Sequence, residues 1–172
     1  MIPYHLEGNI LRQFRLSMLL ILINFAQLSL SFAQPLSAPD FAISHEQLPG
    51  KLSELTGQVI YIDFWASWCK PCRKSFPWMN QMQQKYAAQG LRIIAVNLDT
   101  EKALAKSFLD KVPAHIPIIY DPEGNIASDY QLLGMPSSYL IDKKGKIRFS
   151  HQGFFTRKLP LYEQELVLLL NE

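Results

Sequence analysis

The strongest constraint on this chain is where its sulfur lies. Two cysteines occur in 172 residues, and both fall in the run Trp68-Cys69-Lys70-Pro71-Cys72. The run follows an apolar segment, Val59-Ile60-Tyr61-Ile62-Asp63-Phe64-Trp65, that reads as a strand, and it precedes a segment that reads as a helix. A Cys-x-x-Cys at a strand-to-helix turn brings two sulfurs within bonding reach. It also sets the first sulfur at the positive end of a helix, where a thiolate is favoured. The pattern asks for an α/β unit around it and points to thiol–disulfide exchange.

The rest of the composition narrows the setting. Two cysteines are too few to staple a small fold, so the structure must rest on an apolar core, which a 48% hydrophobic fraction can supply. The net charge is +2 with no long basic stripe, so nothing calls for a nucleic-acid partner. Near the N-terminus, Arg12 and Arg15 precede an apolar run from Leu16 to Leu30, and Ser31-Phe32-Ala33 offers small residues where a signal peptidase reads. Residues 1–33 are therefore expected to be a signal peptide cleaved after Ala33. The alternative is a retained membrane anchor, although the run is shorter than the ~20 residues a spanning helix needs and carries Asn24 and Gln27. No cysteine lies near the cleavage site, which excludes a lipoprotein anchor.

Residues 34–40 read as a linker, and 41–172 as one domain. Residues 41–58 are expected to form a small N-terminal strand or hairpin. Strand 59–65 is apolar on both faces, as a central strand covered on both sides should be. A helix follows from about Lys70 to Ala88, with Pro71 in its first turn, Pro77 inside it as a kink, and Gly90 as its stop. Leu91 to Leu98 reads as a second strand, and Asp99 or Thr100 as the cap of a helix reaching Asp110. Ile116 to Tyr120 is a short strand, with a short helix to Gln131 after the turn Asp121-Pro122-Glu123-Gly124. Ser138 to Ile141 and Lys146 to His151 form an antiparallel hairpin about Asp142-Lys143-Lys144-Gly145. From Thr156 a final helix places Leu159, Tyr162, Leu166 and Leu169 on one face. This order predicts parallel crossovers closed by an antiparallel hairpin, a central mixed β-sheet flanked by helices.

Within that frame, Cys69 is the expected nucleophile and the more exposed of the pair, with Lys70 adding positive charge beside it. Cys72, one turn into the helix, is the expected resolving residue that attacks the mixed disulfide formed by Cys69. A static disulfide across three residues would constrain little chain, and a tetrahedral metal would need further ligands. No second Cys-x-x-Cys exists, and His5, His45, His115 and His151 share no ligand spacing, so no metal and no cofactor are expected. Asp63 interrupts an apolar strand six positions before Cys69. Burial would raise its pKa and suit it to accept the proton of Cys72, whereas at a sheet end it would simply bond to backbone or lysine. Met135-Pro136 enters a strand after Gly134. A cis peptide there would expose the Met135 backbone to an extended substrate, and a trans turn proline would not. Trp68 reads as an apolar lip beside the nucleophile, Trp65 and Trp78 as packing, and Lys143, Lys144 and Lys146 as a solvated turn.

The run Asp63-Phe64-Trp65-Ala66-Ser67-Trp68-Cys69-Lys70-Pro71-Cys72 closely resembles the thioredoxin superfamily, with Pro77 matching its helix proline and Gly134-Met135-Pro136-Ser137 its cis-proline loop. Ala38-Pro39-Asp40-Phe41 and the stretch 101–131 resemble the start and the extra helix–strand insert of the TlpA/ResA-like branch of extracytoplasmic thioredoxins. The resemblance implies the thioredoxin fold, a cis Pro136 and substrate contacts at Trp68, Met135 and Pro136. It also implies a periplasmic setting, disulfide-containing protein substrates and recharging by a DsbD-type membrane electron donor. Members of the branch often carry a neutral residue where this chain has Asp63. The proton-relay role of thioredoxin's aspartate therefore carries over to Asp63, and a dedicated role in cytochrome c maturation is weakened.

The expected function is a thiol–disulfide oxidoreductase that reduces protein disulfides in the periplasm. The alternatives are a disulfide-donating oxidant, a non-catalytic protein-binding module and a thiol peroxidase, the last lacking the proline–threonine setting of a lone peroxidatic cysteine.

Overall fold

The computed structural model of the protein describes residues 35–45, 48 and 50–172, so the expected signal peptide 1–33 lies outside the described residues. Among the described residues there are five strands: β1 (Val59–Trp65), β2 (Leu91–Asn97), β3 (Ile118–Tyr120), β4 (Ser137–Ile141) and β5 (Ile147–Gln152). They form one mixed sheet in the order β3-β2-β1-β4-β5. β1, β2 and β3 run parallel, while β4 is antiparallel to β1 and β5 antiparallel to β4. Every residue of β1 is buried, which is why the sequence there is a continuous apolar run and why this strand takes the centre.

Alternation along the strands divides the core in two. Val59, Tyr61 and Trp65 of β1 and Leu91, Ile93 and Ala95 of β2 face a layer built from α1 (Cys72–Tyr86), α2 (Lys102–Leu109) and α4 (Leu159–Leu170). Ile60, Ile62 and Phe64 face the opposite way, toward Phe41, Ile43, Leu52, Leu55 and the residues around α3 (Asn125–Asp129). Asp63 has the parity of Tyr61 and Trp65, so its carboxyl lies on the face that carries both cysteines.

Most elements fall where the residue pattern puts them, and the departures have physical reasons. Helical assignment of α1 begins at Cys72 rather than Lys70, because Lys70 and Pro71 are taken up by tighter turns in which the Arg73 and Lys74 amides donate to their carbonyls at 3.3 and 2.9 Å. Gly90, at φ 95°, ends that helix through the short turn Ala87–Gln89. Among the described residues, the expected N-terminal strand or hairpin is one antiparallel bridge, Ala42 to Lys51, followed by a 3-10 turn at Leu52–Leu55. The expected linker is anchored: Ser37 bridges Lys146, and the Asp40 carboxylate accepts the Ser53 amide and hydroxyl, each at 2.9 Å. Lys143 is not a purely solvated lysine, since its ammonium donates to the Leu170 carbonyl at 2.8 Å and so ties the end of α4 to the β4–β5 turn.

Candidate active site

The carboxyl end of β1 delivers the chain into the turn Ala66–Pro71. There the Cys69 amide donates to the Ala66 carbonyl at 3.0 Å, which folds the loop back before α1 starts. Cys69 and Cys72 are joined by a disulfide with their Cα atoms 5.4 Å apart. The spacing of three residues over one turn is what makes that closure available. Cys69 retains 3% of its surface and Cys72 none, so the expected difference in exposure is small when the two are bonded. Trp68, by contrast, is 68% exposed and stands beside the pair as a lip.

The turn is held from below by a residue with another expected role. Asp99 does not cap α2, whose first turn lacks any side-chain cap. Its carboxylate instead accepts the Ser67 amide at 2.9 Å, the Ser67 hydroxyl at 2.8 Å and the Asn97 amide group at 2.8 Å. Three donors within reach of one buried carboxylate outcompete a helix start two residues away. A sequence signal exists in retrospect: an Asn-x-Asp at the end of β2, beside the end of β1, puts a carboxylate where the loops meet.

Asp63 is 1% exposed. The Ser75 hydroxyl, one turn along α1 from Cys72, lies 3.5 Å from Asp63 Oδ2 and 3.0 Å from the Cys72 carbonyl. Its single proton favours the nearer acceptor, so the carboxylate gains little compensation. Burial accordingly pushes the Asp63 carboxyl up to about 8, with the Ser75 contact opposing only in part. The group is thus a protonated acid at neutral pH while the disulfide is closed, poised close to the pH at which it would work.

The peptide bond between Met135 and Pro136 is cis. Because Phe64 pairs with Ser137 and Ser137 with Gln152, the loops after β1, before β4 and after β5 gather at one edge of the sheet. The Gly153 amide donates to the Pro136 carbonyl at 2.7 Å, joining two of them. The structure therefore brings Trp68, Cys69, Lys70, Pro71 and Cys72 to the same end as Met135 and Pro136, with Asp63 beneath. Among the described residues no cluster of His, Cys, Asp and Glu could hold a metal ion. Trp78 packs against Tyr61, Phe154 and Tyr162, within the core and away from solvent. Chemically, a bonded sulfur pair, a shielded carboxylic acid and an apolar lip suit two-electron thiol–disulfide exchange.

Comparison with known proteins agrees. The profile of the AhpC/TSA family matches residues 36–150. The thiol-disulfide oxidoreductase ResA of Bacillus thuringiensis subsp. konkukian is 36% identical over 124 residues, covering 70% of each chain. The thioredoxin-like protein YneN of Bacillus subtilis is 37% identical over 127 residues, 70% of this chain and 72% of that one. Among solved structures, a Chlorobium tepidum protein assigned as a thiol:disulfide interchange protein DsbE superposes with a TM-score of 0.75 at 47% identity, covering 80% of this chain and 97% of that one.

Proposed function

The chain belongs to the AhpC/TSA family, as a thioredoxin-fold, TlpA/ResA-like thiol–disulfide oxidoreductase, and on that premise we propose that it reduces protein disulfides in the periplasm. The observation that carries this reading is the disulfide at the head of α1, set above a buried acid and beside the cis-proline loop.

In the reducing direction the Cys69 thiolate attacks a substrate disulfide, forms a mixed disulfide and expels one substrate thiolate. Cys72 then gives its proton to the Asp63 carboxylate and attacks the Cys69 sulfur. The second substrate thiolate leaves, and two electrons have passed from the dithiol to the substrate. When a donor dithiol reopens the Cys69–Cys72 bond, Asp63 returns its proton to the departing Cys72 thiolate. Trp68, Met135 and Pro136 hold the substrate strand, with Lys70 and Pro71 shaping the turn. A DsbD-type membrane donor would recharge the dithiol, and the segment before Ala33 would direct export.

Substrate trapping tests the assignment. Cys72→Ala expressed in the periplasm should accumulate mixed disulfides through Cys69, and Cys69→Ser should reduce none of the trapped proteins. Full activity in Cys69→Ser would overturn the roles. Direction is read from the reduction potential: a value near about −270 mV marks a reductant, and one near about −120 mV the disulfide-donating alternative.

A further inference from the structure

The three segments that meet at the dithiol end of the sheet differ in charge from the rest of the chain. Residues 66–76, 131–138 and 152–162 hold Lys70, Arg73, Lys74, Arg157 and Lys158 and not one Asp or Glu, although the whole chain carries 17 basic and 15 acidic residues. All of these cations are exposed. Of the acids on neighbouring elements, Asp63 is buried beneath the disulfide, and Asp99 is committed to Ser67 and Asn97. The exposed Glu101 follows β2, which lies across β1 from the cis-proline strand β4. Asp129 ends α3, which packs on the opposite face of the sheet. The sulfur pair and the cis-proline loop therefore share an edge of uncompensated positive charge.

Two of these cations are held in place beside the cis-proline loop. The Gly153 amide ties the segment after β5 to the Pro136 carbonyl at 2.7 Å. Gly153 has φ 80°, and a Cβ there would lie 3.0 Å from the Phe155 ring, so the ring rests on the glycine itself. The Lys158 amide donates to the Phe155 carbonyl at 2.8 Å, and this turn folds the next two side chains back over the ring. The Arg157 guanidinium carbon stands 5.0 Å, and the Lys158 ammonium 5.6 Å, from the ring centroid. Among the described residues neither makes an ion pair, whereas Lys85, Lys106 and Arg148 each do. Trp68, Leu133 and Phe155 add three exposed apolar side chains to the same edge.

We propose that Phe155, Arg157 and Lys158 select protein substrates that carry acidic residues close to the reducible cysteine. The proposal rests on the reading that the chain reduces protein disulfides, and it names the class of protein the dithiol serves. A strand laid along the Met135–Pro136 backbone brings its cysteine to Cys69 and its neighbouring residues to the segment after β5. Carboxylates there meet a guanidinium and an ammonium already resting on an aromatic face, so pairing costs little further side-chain freedom. Apolar side chains of the same strand settle against Trp68 and Leu133. The positive edge also speeds encounter with an acidic partner and disfavours a basic one. An anionic lipid surface would suit the charge but not the place, because the cations surround the sulfur pair and a membrane seated on them would cover it.

Two synthetic peptides test this. They share one intramolecular disulfide and one apolar residue, and carry either two Asp or two Lys beside a cysteine. The readout is the ratio of their kcat/KM values for reduction by the dithiol form of the protein. Comparing that ratio between proteins cancels differences intrinsic to the peptides and any loss that falls on both alike. The unaltered protein should favour the acidic peptide about tenfold at low salt, as a pair of exposed charge contacts and their steering allow. The advantage should lie mainly in KM and shrink in about 0.5 M NaCl. Arg157→Glu combined with Lys158→Glu should reverse the order, which no purely structural role would do, and Arg157→Lys should keep it. If the doubly reversed protein does not fold, Arg157→Gln and Lys158→Gln should each lower the ratio. A ratio unmoved by these changes overturns the proposal, as does equal use of both peptides by the unaltered protein. Binding to phosphatidylglycerol vesicles that the charge reversal abolishes, with the peptide ratio unmoved, would assign the cations to a membrane and overturn it too. Reduction of neither peptide would instead sink the reductase reading, and this proposal with it.

Discussion

At the residue scale, Asp63 sets the terms. Its carboxyl is raised to about 8 by burial, so between about pH 4 and pH 8 the folded protein holds a proton that the unfolded chain has released. Stability therefore falls as pH rises through that window, by at most about 1.4 kcal/mol per pH unit for this one group, and levels off above it. Asp63→Asn should remove that slope. Urea melts of the oxidised protein at pH 5, 7 and 9 should show the variant more stable at pH 7 and 9 and little changed at pH 5, while its disulfide exchange slows. A variant less stable at pH 9 would mean that the carboxylate has partners beyond Ser75. The burial of Asp63 and its raised pKa were legible in the sequence, because the residue interrupts an otherwise apolar strand. The contact of His151 with Glu165 was not, because the two residues lie on different elements and no linear spacing betrays it.

At the element scale, the turn between β1 and α1 is held by a residue from the neighbouring strand's end. Asp99 accepts two bonds from Ser67 and one from Asn97. Asp99→Ala leaves those donors unpaired in a buried place and should cost about 2–4 kcal/mol in denaturant melts. The Ser67 amide should lose hydrogen-exchange protection more than the middle of β1 does. Equal loss across the sheet would show that Asp99 acts on the core and not on the turn. Elements of strong periodicity were readable in advance: β1 and β2 as apolar runs, α4 from Tyr162, Leu166 and Leu169, all of them buried. The N-terminal stretch was harder. A single bridge at Ala42 and Lys51 leaves the same mixture of apolar and turn residues as a true hairpin, and only the space beside Leu52 and Leu55 decides between them.

At the scale of the whole molecule, chemistry is gathered at one edge of the sheet and packing occupies the rest. Trp68 at 68% exposure and Leu133 at 88% stand out there as large apolar side chains facing water. Trp68→Ala should change unfolding stability by no more than about 0.5 kcal/mol, since it buries little. The same variant should raise KM for a protein disulfide while leaving exchange with a small aromatic disulfide nearly intact. An equal loss on both would place Trp68 in the chemistry of Cys69 instead of in holding the partner. The family resemblance read from the ten residues around the dithiol extends over the full profile match from 36 to 150. Short motifs carry that far because the thiols, the strand end and the cis-proline loop must meet for any of them to be useful.

The bridge between Ser37 and Lys146 fixes a direction as well as a contact. The β4–β5 turn lies at the pole of the sheet farthest from Ser137 and Gln152, and the Ile147 amide donates to the Leu36 carbonyl there at 2.8 Å. Leu36 and Ser37 are thus pinned at the heel of the domain, and the sulfur pair sits at the opposite pole of the sheet.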